Sequence, residues 1–390
     1  MLALTCGGVD RYSHANDIRE DRGLAVVAGL TKLPDQSLLH RFAGTVTEEQ
    51  CQTILTAVAR RLVGLDSMDG KTVNVDFHNV PAHGDADELE KHWIPTRNRN
   101  MPSVRTLAAQ DKESTLPFFI TADLDDVNAS DAIFLVADRC EELFDGPTHL
   151  LMDSNVTTYA GLNELDDRGF GFTTLRQRGK KIVERVETAD PDEFETVMLD
   201  NPRREYRRLQ VLEEEVELTD IDGPVRQLAV TDHGREKPSF FVTNDFETSA
   251  KELITDYTQR WRIENNISEN IDFFGLDKLP SYTAVKIELD LVLTLISDIL
   301  YKLFAREVPG CQRMKPETIF RKFIRNTARV RLESGEIVVR FEYFRDQDQV
   351  VPLLEGFNEA VETGGPPEIE SRVGSRNIRF EFDECRDTRL

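Results

Sequence analysis

An α/β chain is predicted by the 390-residue sequence, with a mixed sheet flanked by helices, a helical N-terminal region and a β-rich insertion. Three observations lead there. Strand-like and helix-like runs alternate from residue 71 to residue 177. Residues 178–247 then carry short strand-like runs separated by charged turns. Apolar residues recur three and four apart before residue 68 and again after residue 248.

Taken in order, LPDQSLLHRF and TEEQCQTILTAVARRLVGL read as helices, with Thr47 ahead of Glu49 and Gln50 as a helix start. KTVNVDFHNV (71–80) alternates and is rich in β-branched residues, so it reads as a strand. VRTLAAQD (104–111) and LPFFITADLDD (116–126) read as the next two strands. A helix over 129–145 starts near Ser130 or Asp131, and THLLMDS (148–154) is a short apolar strand ending in an aspartate. A helix over 158–169 stops at glycine, and FGFTTLRQ (170–177) is a strand. The insertion offers strands over 208–219, 225–232 and 239–245. Helices follow over 248–269 and 281–305, the second apolar enough for a core. Near the end, ETGGPPEIES is a loop signal and NIRFEFDE an edge strand. The expected organisation is a helical region (1–68), a core in two parts (69–177 and 248–310) around the insertion (178–247), and a C-terminal region (311–390).

The net charge of −23 is spread along the whole chain, with arginine outnumbering lysine, a pattern of salt-adapted acidic surfaces and of a halophilic source. Summed charge of this sign argues against a polyanionic partner. Its distribution argues differently: residues 313–331 hold seven basic residues and one acid, among them Arg321, Lys322 and Arg325, and 175–186 and 203–208 are also basic. Each run taken singly is also what an ordinary solvated face looks like. The five cysteines are scattered, without CxxC spacing, which suggests neither a zinc site nor a disulfide framework and points to the cytoplasm. No run of about 18 apolar residues occurs, and the opening MLALTCGGVDRYSH lacks the features of a secretion signal, so no membrane partner is expected.

Chemistry concentrates in YTQRWRIE (257–264). On a helix, Tyr257, Arg260 and Glu264 share a face, with Trp261 beside them. Trp261 has two readings, a base-stacking ring or a core residue. Asp76 shares one face of its strand with Asn74 and His78, and Asp153 ends an apolar strand. Each has an ordinary alternative: a strand-end aspartate, a helix cap, an Arg260–Glu264 ion pair. Together, two strand aspartates and a helix glutamate form a set of hard oxygen ligands that repel one another unless cations neutralise them, which suits Mg²⁺ or Mn²⁺. His78 and His83 lie near Asp76 without ligand spacing.

These residues resemble the DDE transposases of insertion sequences, in the subgroup whose signature is Tyr, two residues, Arg, three residues, Glu, six residues, Lys. Tyr257, Arg260 and Glu264 match at that spacing; VDFHNVPAHGD (75–85) and HLLMDSNVTTYAGLNEL (149–165) resemble the two aspartate strands. The signature lysine falls on Ile271, and the nearest later lysine is Lys278. The likeness covers roughly residues 30–305. It implies a ribonuclease-H-like fold and two divalent ions held by Asp76, Asp153 and Glu264, one activating the nucleophile and the other the leaving oxygen. It also implies cleavage at element ends and strand transfer into target DNA, a grip on DNA by Tyr257, Arg260, Trp261 and Lys278, and a homodimer on paired terminal inverted repeats. The alternatives are a structure-selective nuclease of the same fold, an inactive DNA-binding remnant, and an acidic salt-tolerant protein that binds no nucleic acid.

Overall fold

The computed structural model describes residues 1–9, 11–81, 89–94, 98–122, 124, 128, 130–200, 206–276, 284–363 and 372–384. The chain divides into two compact units: Met1–Glu48, Ala82–Asp85 and Glu269–Leu390 form one, Glu49–Pro81 and Ala86–Ser268 the other.

The N-terminal elements are helical as expected: α1 (Leu2–Cys6), α2 (Arg22–Val27), α3 (Gln36–Ala43) and α4 (Glu48–Gly64). Asp21 and Asp35 start α2 and α3 by accepting the backbone N–H groups of Leu24 and Leu38. Next come β1 (Thr72–Pro81), β2 (Lys91–Ile94), β3 (Arg99–Asp111) and β4 (Pro117–Thr121). Helices and strands then alternate through α5 (Ile133–Leu143), β5 (His149–Met152), α6 (Tyr159–Asp167), β6 (Gly171–Arg176) and α7 (Lys180–Glu187). Four strands follow, β7 (Phe194–Met198), β8 (Arg208–Glu217), β9 (Pro224–Thr231) and β10 (Ser239–Thr243). The remainder is α8 (Ala250–Tyr257), α9 (Trp261–Glu269), α10 (Ala284–Glu307), α11 (Pro316–Ile319), β11 (Ala328–Glu333), β12 (Glu336–Phe341), α12 (Val351–Glu362), β13 (Arg372–Val373) and β14 (Arg376–Phe382).

In the second unit a ten-stranded sheet begins β4-β3-β1-β5-β6. β1 is antiparallel to β3 and β3 to β4, while β1, β5 and β6 are parallel. This is the mixed sheet expected from the sequence. Strand β5, covered on both faces, reads as the unbroken apolar run Leu150-Leu151-Met152, all buried. Gly70 allows β1 to start where it does: its φ is +66°, and a Cβ there would fall 2.3 Å from the Phe144 ring. Gln52 ties α4 to the sheet, its Nε2 donating to the Ile120 carbonyl at 2.7 Å.

Strands β7–β10 are antiparallel and continue the same sheet, because β10 pairs with β6. Residues 180–187, read from sequence only as a basic run, fold as α7. Their apolar members Ile182, Val183 and Val186 are three and four apart and cover Leu212, Ala229 and Phe240. The alternate side chains Leu209, Val211, Leu228 and Val230 face α8 through Ala250, Leu253, Ile254 and Tyr257. Period-two alternation thus gives the insertion one helix on each face.

In the first unit, α10 supplies the buried Leu291, Val292, Leu295 and Ile299. Tyr12 donates to Asp290 Oδ1 at 2.7 Å, and burial pushes the Asp290 carboxyl up to about 7. Asp298 is fully buried and accepts from Lys302 Nζ at 2.7 Å, one turn on. A four-stranded sheet, β11-β12-β14-β13, completes this unit. The edge-strand expectation for NIRFEFDE is corrected: β14 lies inside the sheet, parallel to β12 and paired on its other side with β13.

Candidate active site

Asp76 sits in the middle of β1, opposite Ala108 of β3. Its strand neighbours on that face are Asn74, fully buried, and His78. Asp153 immediately follows β5, whose last residue, Met152, pairs with Val75. Adjacent parallel strands therefore bring the two aspartates to neighbouring positions at one end of the sheet.

The continuous helix expected over 248–269 is broken. α8 ends at Tyr257, and residues 258–260 form a tightened turn before α9. Arg260 N bonds the Tyr257 carbonyl and Ile263 N the Arg260 carbonyl, each at 3.0 Å, which are three-residue spacings of 3₁₀ type. The anchor of this turn is Tyr257, buried, with its hydroxyl donating to the Met152 carbonyl at 3.2 Å. One phenol thereby fixes the start of the Arg260–Glu264 segment against the residue preceding Asp153.

Arg260 is the hub. Its Nη1 donates to Asp76 Oδ2 and its Nη2 to Glu264 Oε1, both at 2.9 Å. The Arg260 and Asp76 side chains are only 15% and 17% exposed, whereas Glu264 is 54% exposed and still faces water. Burial, with the nearby charges of Glu264 and Asp153, pushes the Asp76 carboxyl up to about 6 despite the guanidinium that opposes the rise. Asp76, Tyr257, Glu264 and Asp153 all favour a charged Arg260, which offsets its burial and holds its proton firmly. Burial is also the main reason the Tyr257 phenol is raised. Three acids and one arginine leave this cluster with an excess of negative charge.

That excess is the chemistry of a hard-cation site, and the donor set fits one. Among the described residues, however, no three such donors are already gathered around one point. The guanidinium spans Asp76 and Glu264 instead, and the Arg260 Nε is buried without a partner.

Trp261 is 54% exposed, so its core reading is set aside. Arg321, Lys322 and Arg325 belong to the other unit; Arg321 and Arg325 are exposed, while Lys322 faces Asp346 at 3.4 Å. Lys278 and His83 lie outside the described residues. Sequence reasoning missed Asn266, two residues beyond Glu264. Its Nδ2 donates to Gln110 Oε1 at 2.7 Å and to the Thr115 carbonyl at 3.2 Å, pinning α9 to β3 and the turn after it. Gln110 pairs in register with Asn74, whose two side-chain polar atoms are buried without partners. The available signal was two amides, Asn74 and Gln110, at inward positions of β1 and β3.

The family model described as "Transposase DDE domain" matches residues 68–298, more than half of the chain. No curated protein matches. Among solved structures, the cryo-EM structure of the piggyBac transposase synaptic complex with hairpin DNA is similar over 82% of this chain and 67% of that one, at 11% identity and a TM-score of 0.43.

Proposed function

The chain belongs to the transposase DDE domain family, and from that premise we propose that it is a DNA transposase whose catalytic carboxylates are Asp76, Asp153 and Glu264. The observation that carries the assignment is the Arg260 fork, which joins the β1 aspartate to the α9 glutamate beside Asp153. Divalent Mg²⁺ or Mn²⁺ ions, held by these three carboxylates, would supply nucleophile activation and leaving-group stabilisation at a phosphodiester. The chain's own residues do the rest. Tyr257 fixes the turn, and Asn266 holds α9 at the depth that places Glu264. Arg260, released from one carboxylate, has a planar fork suited to a phosphate. Trp261, exposed on α9 next to it, is placed to stack on an unpaired base. Arg321 and Arg325 add exposed cations for DNA, and the partners are the element's terminal inverted repeats and target DNA. Cleavage of both ends implies a homodimer.

The test is Asp153→Asn. The amide keeps the shape and loses the anion, so Mn²⁺-dependent nicking of a labelled element end should disappear while a gel shift with the same DNA persists. Nicking at the wild-type rate would remove Asp153 from the site. A wild type that nicks without joining ends to target DNA would make the enzyme a nuclease of this fold.

A further inference from the structure

Strand β3 is thirteen residues long, and its first part runs beyond the carboxylates into a ribbon with β1 and β2. Both pairings hold one unbroken register, so side-chain alternation can be followed from Asp76 to β2. Asp76 faces Ala108, His78 faces Thr106 and Val80 faces Val104. Two more steps along β3 reach Pro102 and Asn100, whose partners are Lys91 and Trp93. Lys91 and Trp93 therefore share the face of the sheet that carries Asp76. On the ribbon's other face Ile94, Met101 and Ser103 are buried, Arg99 is exposed, and Ser103 Oγ lies 2.9 Å from His92 Nδ1.

On the Asp76 face, Trp93 is 52% exposed, and Lys91 and Asn100 are also exposed. Among the described residues, Lys91 makes no ion pair; Glu90 lies 3.6 Å from the His92 ring instead. An exposed lysine beside an open indole is conspicuous on a chain of net charge −23. From Asn100 to Ala108 is eight residues of β3, or about 26 Å along the strand. At the rise of duplex DNA this is about eight base pairs.

We propose that the β2–β3 ribbon is a second DNA contact, with Lys91 and Asn100 on phosphates and Trp93 against the duplex backbone, about eight base pairs from the bond held at the carboxylates. The inference rests on the transposase reading above. The experiment separates the two. The chain has two tryptophans, so Trp261→Phe leaves Trp93 as the sole indole and keeps an aromatic ring at 261. The probe is a duplex from the end of the genomic segment encoding the chain, extending about fifteen base pairs either side of the nicked bond, and versions cut to about five base pairs on one side. Trp93 emission should be quenched by the long duplex and by only one of the two shortened ones. Trp93→Ala combined with Lys91→Ala should weaken binding of the long duplex about tenfold and reduce the salt slope by about one. Trp93→Phe should recover most of the loss. Unchanged emission or unchanged affinity, while the wild type shifts the duplex, overturns the ribbon contact alone. A wild type that shifts no duplex overturns the transposase reading and this inference with it. Loss of a dimer in sedimentation, at unchanged DNA affinity, would assign the ribbon to a second copy of the chain and overturn the proposal.

Discussion

Arg226 in the β insertion and Arg260 at the carboxylates are both buried cations with acidic partners, yet they are held differently. Arg226 meets both oxygens of one glutamate, Glu213, at 2.8 and 3.0 Å, and gives its remaining nitrogen to the carbonyls of Asp245 and Thr248. Every nitrogen of that guanidinium has a partner. Arg260 divides its two terminal nitrogens between acids on different elements and leaves Nε buried and unused. A bidentate, fully bonded arginine locks a structure. A shared one, with a nitrogen left over, is bonded less completely. The two regions are alike in burial and ion pairing and differ in the number of acids per cation: one glutamate bonds Arg226, while an aspartate and a glutamate share Arg260.

The largest effect should come from the scaffold side. Glu213→Ala strands Arg226, whose side chain is 7% exposed, and should cost about 3 kcal/mol in urea unfolding. A loss below about 0.5 kcal/mol would show that Arg226 is no lock. Asn266→Ala leaves Gln110 without its donor and should cost about 1–2 kcal/mol, with nicking falling further than stability accounts for. Equal loss of both, measured at matched fractions folded, would make Asn266 structural only.

Next is pH. Asp76 moves from 3.8 to about 6, so it binds a proton more readily in the folded chain than in the unfolded one. Its contribution to stability is full below the ordinary pKa and is lost as pH rises through about 6. Divalent-ion binding has the opposite dependence, because the ligand must be ionised: Mn²⁺ affinity by calorimetry should fall as pH drops through about 6, and Asp76→Asn should flatten both curves. A Mn²⁺ affinity flat from about pH 5 to 7 would break this expectation. The smallest effect is Arg260→Ala on stability. It removes a cation and also relieves a burial cost, so a change within about 1 kcal/mol is expected. DNA binding in a gel shift should weaken regardless. A loss as large as that of Glu213→Ala would erase the contrast between the two arginines.

Much of the fold was readable because the relevant signals are periodic. Val73 and Val75 against Asn74 and Asp76 revealed β1, and the apolar run ending at Asp153 revealed β5. The fold features that escaped depend on contacts with partners far along the chain. The break after Tyr257 is set by a hydroxyl reaching Met152, which no helical pattern encodes. α7 was hidden because its charged face outnumbers its apolar one. The basic stretch 313–331 was read as DNA-facing or as an ordinary solvated face, and the acids that meet it lie mostly elsewhere in the sequence. Lys322 meets Asp346, Arg329 meets Glu342, and Arg331 meets Glu381 as well as Glu333. At the candidate site, residue types and order were legible, but the arginine between the carboxylates was read as a partner of Glu264 and a grip on DNA, not as a partner of Asp76. For Asn266 the signal lay in its partner Gln110, an amide at an inward strand position; Asn266 itself, a polar residue on an amphipathic helix, looks solvated until that partner is known.

The Arg260–Asp76 bond joins positions 184 residues apart. At roughly 5–20 residues per second, a ribosome takes about 10–40 s to travel from Asp76 to Glu264. For that interval a nascent chain has a finished first strand and no means of assembling the cluster. Until synthesis has passed Glu264, the arginine fork and the carboxylates that it joins cannot come together.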